Sequence, residues 1–126
     1  MVSELKLLLV ENETDYRESI RTGLASLKLA ILEANDGQEA LDILSSEPFV
    51  CLIIADLEMP KVNGIELLLE MRRRKIKHPT ILMSSVNNFQ KDDAMLFGAS
   101  DFYSKHRPIS NLLEIARSVL LRSLND

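Results

Sequence analysis

The sequence predicts an α/β domain built on a doubly wound, five-stranded parallel sheet with five helices. Two observations carry this. Five short apolar runs alternate with five stretches of helical spacing, and two of the runs, Leu7–Val10 and Leu52–Ala55, are apolar at every position. A strand apolar on both faces is covered on both sides, as strands are in a parallel sheet layered between helices.

The elements follow in order. The runs Leu5–Val10, Ala30–Ala34, Val50–Ala55, Thr80–Met83 and Asp101–Tyr103 read as the strands. After the first, Tyr16, Ile20, Leu24 and Leu27 fall on one helical stripe. After the second, Asp36 can cap a helix whose third residue is Glu39, a variant of the capping box. After the third, Asn63 precedes Gly64-Ile65-Glu66-Leu67-Leu68 as a helix start. The fourth helix, around Phe89 to Phe97, has the weakest pattern, and Leu112, Leu113, Ala116, Val119 and Leu120 mark the last.

Composition narrows the class. A chain of 126 residues is one domain's worth, so residues 1–126 are read as a single domain without linker, repeat or low-complexity tract. A net charge of −4 argues against direct binding of nucleic acid. The single cysteine, Cys51, excludes an intramolecular disulfide framework and is expected to pack as a small hydrophobe. No apolar stretch approaches a membrane span, and the opening Met-Val-Ser-Glu-Leu-Lys has no basic region leading into an apolar one. A cytoplasmic setting without membrane contact is expected.

The chemistry gathers where strands end. In a doubly wound sheet the ligand site lies beyond the C-terminal ends of the strands. There stand Glu11-Asn12-Glu13 after the first strand, Asp56 after the third, Ser84-Ser85 after the fourth and Lys105 after the fifth. Clustered carboxylates repel one another and raise their own pKa values unless a cation is present. Hard oxygen ligands around an incomplete cage suit Mg²⁺, while a lysine and a hydroxyl facing it could hold the oxygens of a phosphoryl group. The set reads as a phosphoryl-transfer site with an aspartate nucleophile.

Four segments carry a family resemblance: Leu-Leu-Val-Glu11-Asn12-Glu, Ile-Ile-Ala-Asp56-Leu-Glu-Met-Pro60-Lys-Val-Asn-Gly64, Leu-Met-Ser84-Ser85 and Gly98-Ala-Ser-Asp-Phe102-Tyr-Ser-Lys105. Together they resemble the receiver domains of two-component response regulators, over essentially the whole chain. The resemblance implies a flavodoxin-like, CheY-like topology. It implies that Asp56 is the phosphoacceptor, taking a phosphoryl group from a histidine kinase or a histidine phosphotransfer protein. It implies that Glu11, Asn12, Asp56 and the main-chain carbonyl of Glu58 hold Mg²⁺. Ser84 matches the hydroxyl that bonds the phosphoryl oxygen, Lys105 the lysine that pairs with the phosphoaspartate, and Phe102 the aromatic switch that moves with Ser84. A downstream effector or the protein's own output domain would read the change, with the face of helix four, strand five and helix five as the contact surface. Phe89, Phe97 and Tyr103 are candidate apolar contacts there, with core packing the alternative for each, and a homodimer is one possible product. Such a domain is a signalling phosphoacceptor that promotes its own phosphorylation and dephosphorylation, not an enzyme acting on a separate substrate.

Two residues depart from the family pattern. Asn12 stands where an aspartate is usual, which removes one negative charge. His106 follows Lys105 where a proline is usual; a cis bond at a non-proline residue costs about 3–4 kcal/mol, so a trans Lys105–His106 bond is expected. Taken singly, several site residues also have plain structural readings: Glu11, Asn12 and Glu13 as a helix-entry turn, Phe102 as core, and the basic run Arg72 to His78 as a helix C-terminus complementing the dipole at the sheet edge opposite Asp56. His78 and His106 lack partners at metal-ligand spacing.

Other functions fit less well. A degenerate receiver that binds partners without phosphorylation is supported by Asn12 and opposed by Asp56, Ser84 and Lys105. An aspartate-nucleophile phosphatase would resemble Asp-x-Asp and carry a substrate cap, where this chain has Asp56-Leu57-Glu58. A flavin carrier would need a glycine- and serine-rich phosphate loop after the first strand, where Glu11 to Tyr16 has no glycine and three acids.

Overall fold

The structure, a computed structural model, describes residues 4–124. Five strands, β1 (Lys6–Val10), β2 (Ala30–Ala34), β3 (Val50–Asp56), β4 (Thr80–Ser84) and β5 (Asp101–Ser104), form one parallel sheet in the order β2-β1-β3-β4-β5. The helices are α1 (Thr14–Gly23), α2 (Gly37–Ser46), α3 (Gly64–Arg73), α4 (Lys91–Leu96) and α5 (Ile109–Leu124), with a 3₁₀ turn at Ala25–Leu27 after α1. The strand order reverses direction at β1 and β3, so the crevice between their C-terminal ends is the switch point of the fold.

Alternation along the strands sorts the core into two layers. Leu8, Val10, Ile53, Ala55, Leu82 and Phe102 face α2, α3 and α4. Leu7, Leu9, Leu52, Ile54, Ile81 and Tyr103 face α1 and α5. The central strands therefore have no side left for polar residues, which appear only where a strand ends.

Local signals set the helix starts. Asn63 and Glu66 close a reciprocal capping box at α3, each side chain accepting the other's N–H at 2.9 Å. At α2 half of the expected box forms: Asp36 accepts the Glu39 N–H at 2.8 Å, while the Glu39 carboxylate turns to the Asn35 amide. Leu24 and Leu27 lie beyond the end of α1, and Leu24 still joins the core. The basic run ends α3 at the sheet edge opposite Asp56, as expected. Arg73 and Arg74 pair with Glu70, and Arg72, Lys75, Lys77 and His78 line a cavity of about 740 Å³ there.

Two expectations are corrected. Helix α4 spans six residues rather than the stretch from Phe89 to Phe97, and Ala94 is the one it buries. Tyr103 is not a surface contact. It is 1% exposed, packs in the α1/α5 layer and donates its hydroxyl to the Arg107 carbonyl. The apolar side chains that α4 does expose are Met95 and Leu96. Cys51 is half-buried against the α1/α5 layer.

Candidate functional site

Three strand ends deliver the site. Glu11 follows β1, Asp56 is the last residue of β3, and Lys105 follows β5. The Lys105 ammonium reaches back across the sheet edge and donates to Glu11 Oε1 and to Asp56 Oδ2, both at 2.8 Å. Both carboxylates are buried, at 1% and 4% exposure. The second Glu11 oxygen accepts the Glu13 N–H at 3.0 Å. Glu11 thus belongs to a helix-entry turn, since Glu13 caps α1, and also points into the site.

One ammonium faces two buried carboxylates, so the pair is under-compensated. The Asp56 carboxyl is pushed up to about 6, first by burial, with Lys105 opposing and the charges of Glu11 and Glu58 adding to the rise. Burial pulls the Lys105 ammonium down, but its hydrogen bonds to Asp56 and Glu11 prevail and hold it above its usual range.

Ser84, the last residue of β4, is 1% exposed. Its hydroxyl accepts the Val86 N–H at 2.9 Å and donates to the Glu58 carboxylate at 2.8 Å. Glu58 also approaches Asp56 through its main chain, its N–H lying 3.3 Å from Asp56 Oδ1. Phe102 is buried in the α4 layer with its ring tilted against Phe89 at a centroid distance of 5.7 Å. It sits two strand positions from Ser104, which pairs with Ser84 across β4 and β5. The peptide bonds of the described residues are all trans, including Lys105–His106, and the His106 ring lies 2.7 Å from the Ser85 carbonyl.

Asn12, next to Glu11 in the chain, is exposed, and its side chain makes no hydrogen bond among the described residues. The carboxylates of Glu11 and Asp56 meet here on the Lys105 ammonium, and the Glu58 carboxylate stands nearby on the Ser84 hydroxyl. Among the described residues no group of three His, Cys, Asp or Glu side chains is placed to hold a metal ion. An all-oxygen set with two carboxylates suits a hard divalent cation such as Mg²⁺ and offers no soft ligand.

Two contributors were not singled out from sequence. The Tyr16 ring lies under the Lys105 ammonium, 4.4 Å from centroid to Nζ. Tyr16 stood in the helical stripe of α1, but nothing in the spacing tied it to Lys105. The hydrogen bond from Ser84 to the Glu58 side chain is the second; the sequence places Glu58 and Val86 at the flank of the site, where they would tune the lifetime of a phosphoryl group, but it does not pair Glu58 with Ser84.

A doubly wound sheet whose switch point holds an aspartate, a buried acid, a strand-end serine and a bridging lysine defines the receiver class of signalling domains. The chain belongs to that family: the response regulator receiver domain matches residues 7–117. It is 30% identical over 116 residues to the response regulator ArlR of Staphylococcus epidermidis, covering 92% of this chain and 52% of that protein. It is 28% identical over 120 residues to the response regulator protein PilR of Pseudomonas aeruginosa, covering 94% of this chain and 27% of that protein. The chain therefore spans about half, or less, of the length of these relatives. Among solved structures, the receiver domain of the Francisella response regulator 1452 superposes with a TM-score of 0.85 at 25% identity, covering 95% of this chain and 99% of that one. No helix of the described residues is long and apolar enough to cross a membrane.

Proposed function

We propose that this domain accepts a phosphoryl group on Asp56 from a phosphohistidine donor, a histidine kinase or a histidine phosphotransfer protein, and signals by changing its surface. The observation that carries the reading is the Lys105 ammonium held 2.8 Å from Asp56 Oδ2, with Ser84 at the neighbouring strand end. An Asp56 oxygen attacks the phosphorus, the P–N bond breaks, and its electron pair stays on the imidazole nitrogen. The product is an acyl phosphate on Asp56. Lys105 follows the new negative charge onto a phosphoryl oxygen, and the Ser84 hydroxyl donates to another. Mg²⁺, held by Glu11, Asn12, Asp56 and the Glu58 carbonyl, would supply positive charge to the transferring oxygens. Movement of Lys105 and Ser84 biases β5 and Phe102 between two arrangements, which an effector, an output domain or a second copy reads. The domain promotes its own phosphorylation and dephosphorylation, in the cytoplasm, without turning over a separate substrate.

Incubation of the full chain with acetyl phosphate and Mg²⁺, followed by intact-mass measurement, tests this. One added phosphoryl group is expected, and none in Asp56→Asn. A mass gain that persists in Asp56→Asn overturns the assignment. The unpartnered amide of Asn12 favours a second reading, a receiver that binds its partner without phosphorylation. A folded wild type that gains no mass from either a small donor or a kinase decides for it.

A further inference from the structure

The geometry points to Glu58 as an anionic gate that holds the Ser84 hydroxyl until a phosphoryl group displaces it, an inference that rests on Asp56 being the phosphoacceptor. A serine hydroxyl has one proton to give. In this structure that proton goes to the Glu58 carboxylate at 2.8 Å, while the Ser84 oxygen is fixed from behind by the Val86 N–H at 2.9 Å. The hydroxyl assigned to a phosphoryl oxygen is therefore already engaged, by an oxygen anion of this same chain.

The placement of Glu58 is not accidental to the loop. Its N–H lies 3.3 Å from Asp56 Oδ1, which anchors its main chain beside the acceptor, and its side chain then bends over to β4. Glu58 therefore touches the acceptor with its main chain and the hydroxyl with its carboxylate, and no ion pair among the described residues compensates that carboxylate. Lys105 is committed to Glu11 and Asp56, and no ion pair of Glu58 exists among the described residues. A phosphoryl group arriving on Asp56 brings oxygens that carry charge of the same sign and compete for the same proton. Transfer then requires two coupled events: Glu58, an exposed residue, swings out to solvent, and Ser84 exchanges one anionic acceptor for another. Glu58 is a positioning residue. It touches Ser84, not the phosphorus, and it sets the rate of phosphorylation by anionic donors and the rest position of the switch hydroxyl.

The test uses Glu58→Ala and Glu58→Gln in the full chain, each with Ser84 intact and with Ser84→Ala. With acetyl phosphate and Mg²⁺, Glu58→Ala is expected to phosphorylate about tenfold faster than wild type, the scale of one uncompensated like charge near a protein surface. Glu58→Gln, which loses the charge but can still accept from Ser84, should fall between. In the Ser84→Ala background the gain from Glu58→Ala should shrink to about threefold, because the hydroxyl it releases is gone. An equal gain in both backgrounds, or no gain, overturns the gate. A second readout needs no phosphorylation: in the unphosphorylated Glu58→Ala protein, the Val86 amide resonance and the Ser84 side-chain couplings should shift as the hydroxyl re-aims. Unchanged signals overturn the pairing itself. A domain in which these signals shift but no variant gains mass from acetyl phosphate or from a phosphorylated histidine kinase refutes Asp56 as acceptor and the gate with it, while leaving the Glu58–Ser84 hydrogen bond in place.

Discussion

Asp56→Asn should make the metal-free domain more stable at neutral pH while abolishing its proposed reaction. The Asp56 carboxyl sits at about 6 in the folded domain, against the usual 3.8, because it is buried beside Glu11 and Glu58 with only a shared ammonium to offset them. Between those two values the folded protein binds a proton that the unfolded chain does not. Stability therefore falls as pH rises from about 4 to about 6, and stays at the lower level above that. Each tenfold difference in proton affinity is worth about 1.4 kcal/mol, so holding Asp56 ionised in the folded state costs about 3 kcal/mol at pH 7.5. An asparagine of nearly the same shape carries no charge and escapes this cost. Some of the gain is lost because Lys105 keeps only Glu11 as a charged partner, which leaves an expected stabilisation of about 2 kcal/mol. For a chain of this size that is a rise of about 8 °C in Tm.

The pH dependence separates this cause from a change in packing. Urea unfolding of wild type and Asp56→Asn in EDTA should show the advantage of the variant shrinking to under about 1 kcal/mol near pH 4.5, where the folded wild type has taken up its proton. An Asn variant no more stable than wild type at pH 7.5, or one whose advantage is the same at both pH values, refutes the electrostatic account.

Gly64→Ala should destabilise the domain by about 1–3 kcal/mol and slow phosphorylation together, since an added Cβ would stand 2.7 Å from the Asp56 carbonyl oxygen and force β3 away from α3; a variant with normal stability and rate would show that the loop yields freely. Tyr16→Phe should stabilise by about 1 kcal/mol, because the buried Tyr16 hydroxyl has no hydrogen-bond partner among the described residues and the ring under Lys105 is kept. Tyr16→Leu should lose about 1 kcal/mol or more, and equal thermal midpoints for the two variants would dismiss the cation–π contact. Asn12→Asp should bind Mg²⁺ roughly tenfold more tightly in a fluorescence or NMR titration; equal affinity would show that position 12 does not ligand the metal.

The strands were legible because each central one is apolar without interruption. The strand bounds match the runs to within a residue, the runs stopping one short of the polar ends Asp56, Ser84 and Ser104. The same rule exposed the site, since polar residues were forced to the strand ends. What stayed hidden depends on which way a side chain turns. Phe102 and Tyr103 are neighbours on β5 and so point to opposite layers, and nothing local says which layer either one meets. Helix α4 has fewer than two turns, too short for a stripe to register. Asn12, read as a ligand from the resemblance, stands exposed beside the site. Glu58 was legible as a residue flanking the site, but its hydrogen bond to Ser84 was not, because Ser84 lies 26 residues away on another strand.

The arrangement of charges gives Asn12 a physical reason. Glu11, Asp56 and Glu58 bring three carboxylates to one crevice, and Lys105 is the ammonium that answers two of them. An aspartate at position 12 would add a fourth acid on the loop that carries Glu11, with no further cation among the described residues of the site to meet it. The repulsion that lifts Asp56 would grow, and the metal-free fold would lose stability above pH 6. Asparagine keeps an oxygen at the mouth while leaving the balance where one lysine can hold it. In this chain Glu58 adds, on the β4 side, a charge of the kind that Asn12 omits on the β1 side. The negative charge of the crevice thereby lies on the carboxylate that holds the Ser84 hydroxyl rather than at position 12, the position proposed to bind the metal. That shift predicts weaker metal binding together with slower phosphorylation by anionic donors, and Asn12→Asp combined with Glu58→Gln should reverse both at once.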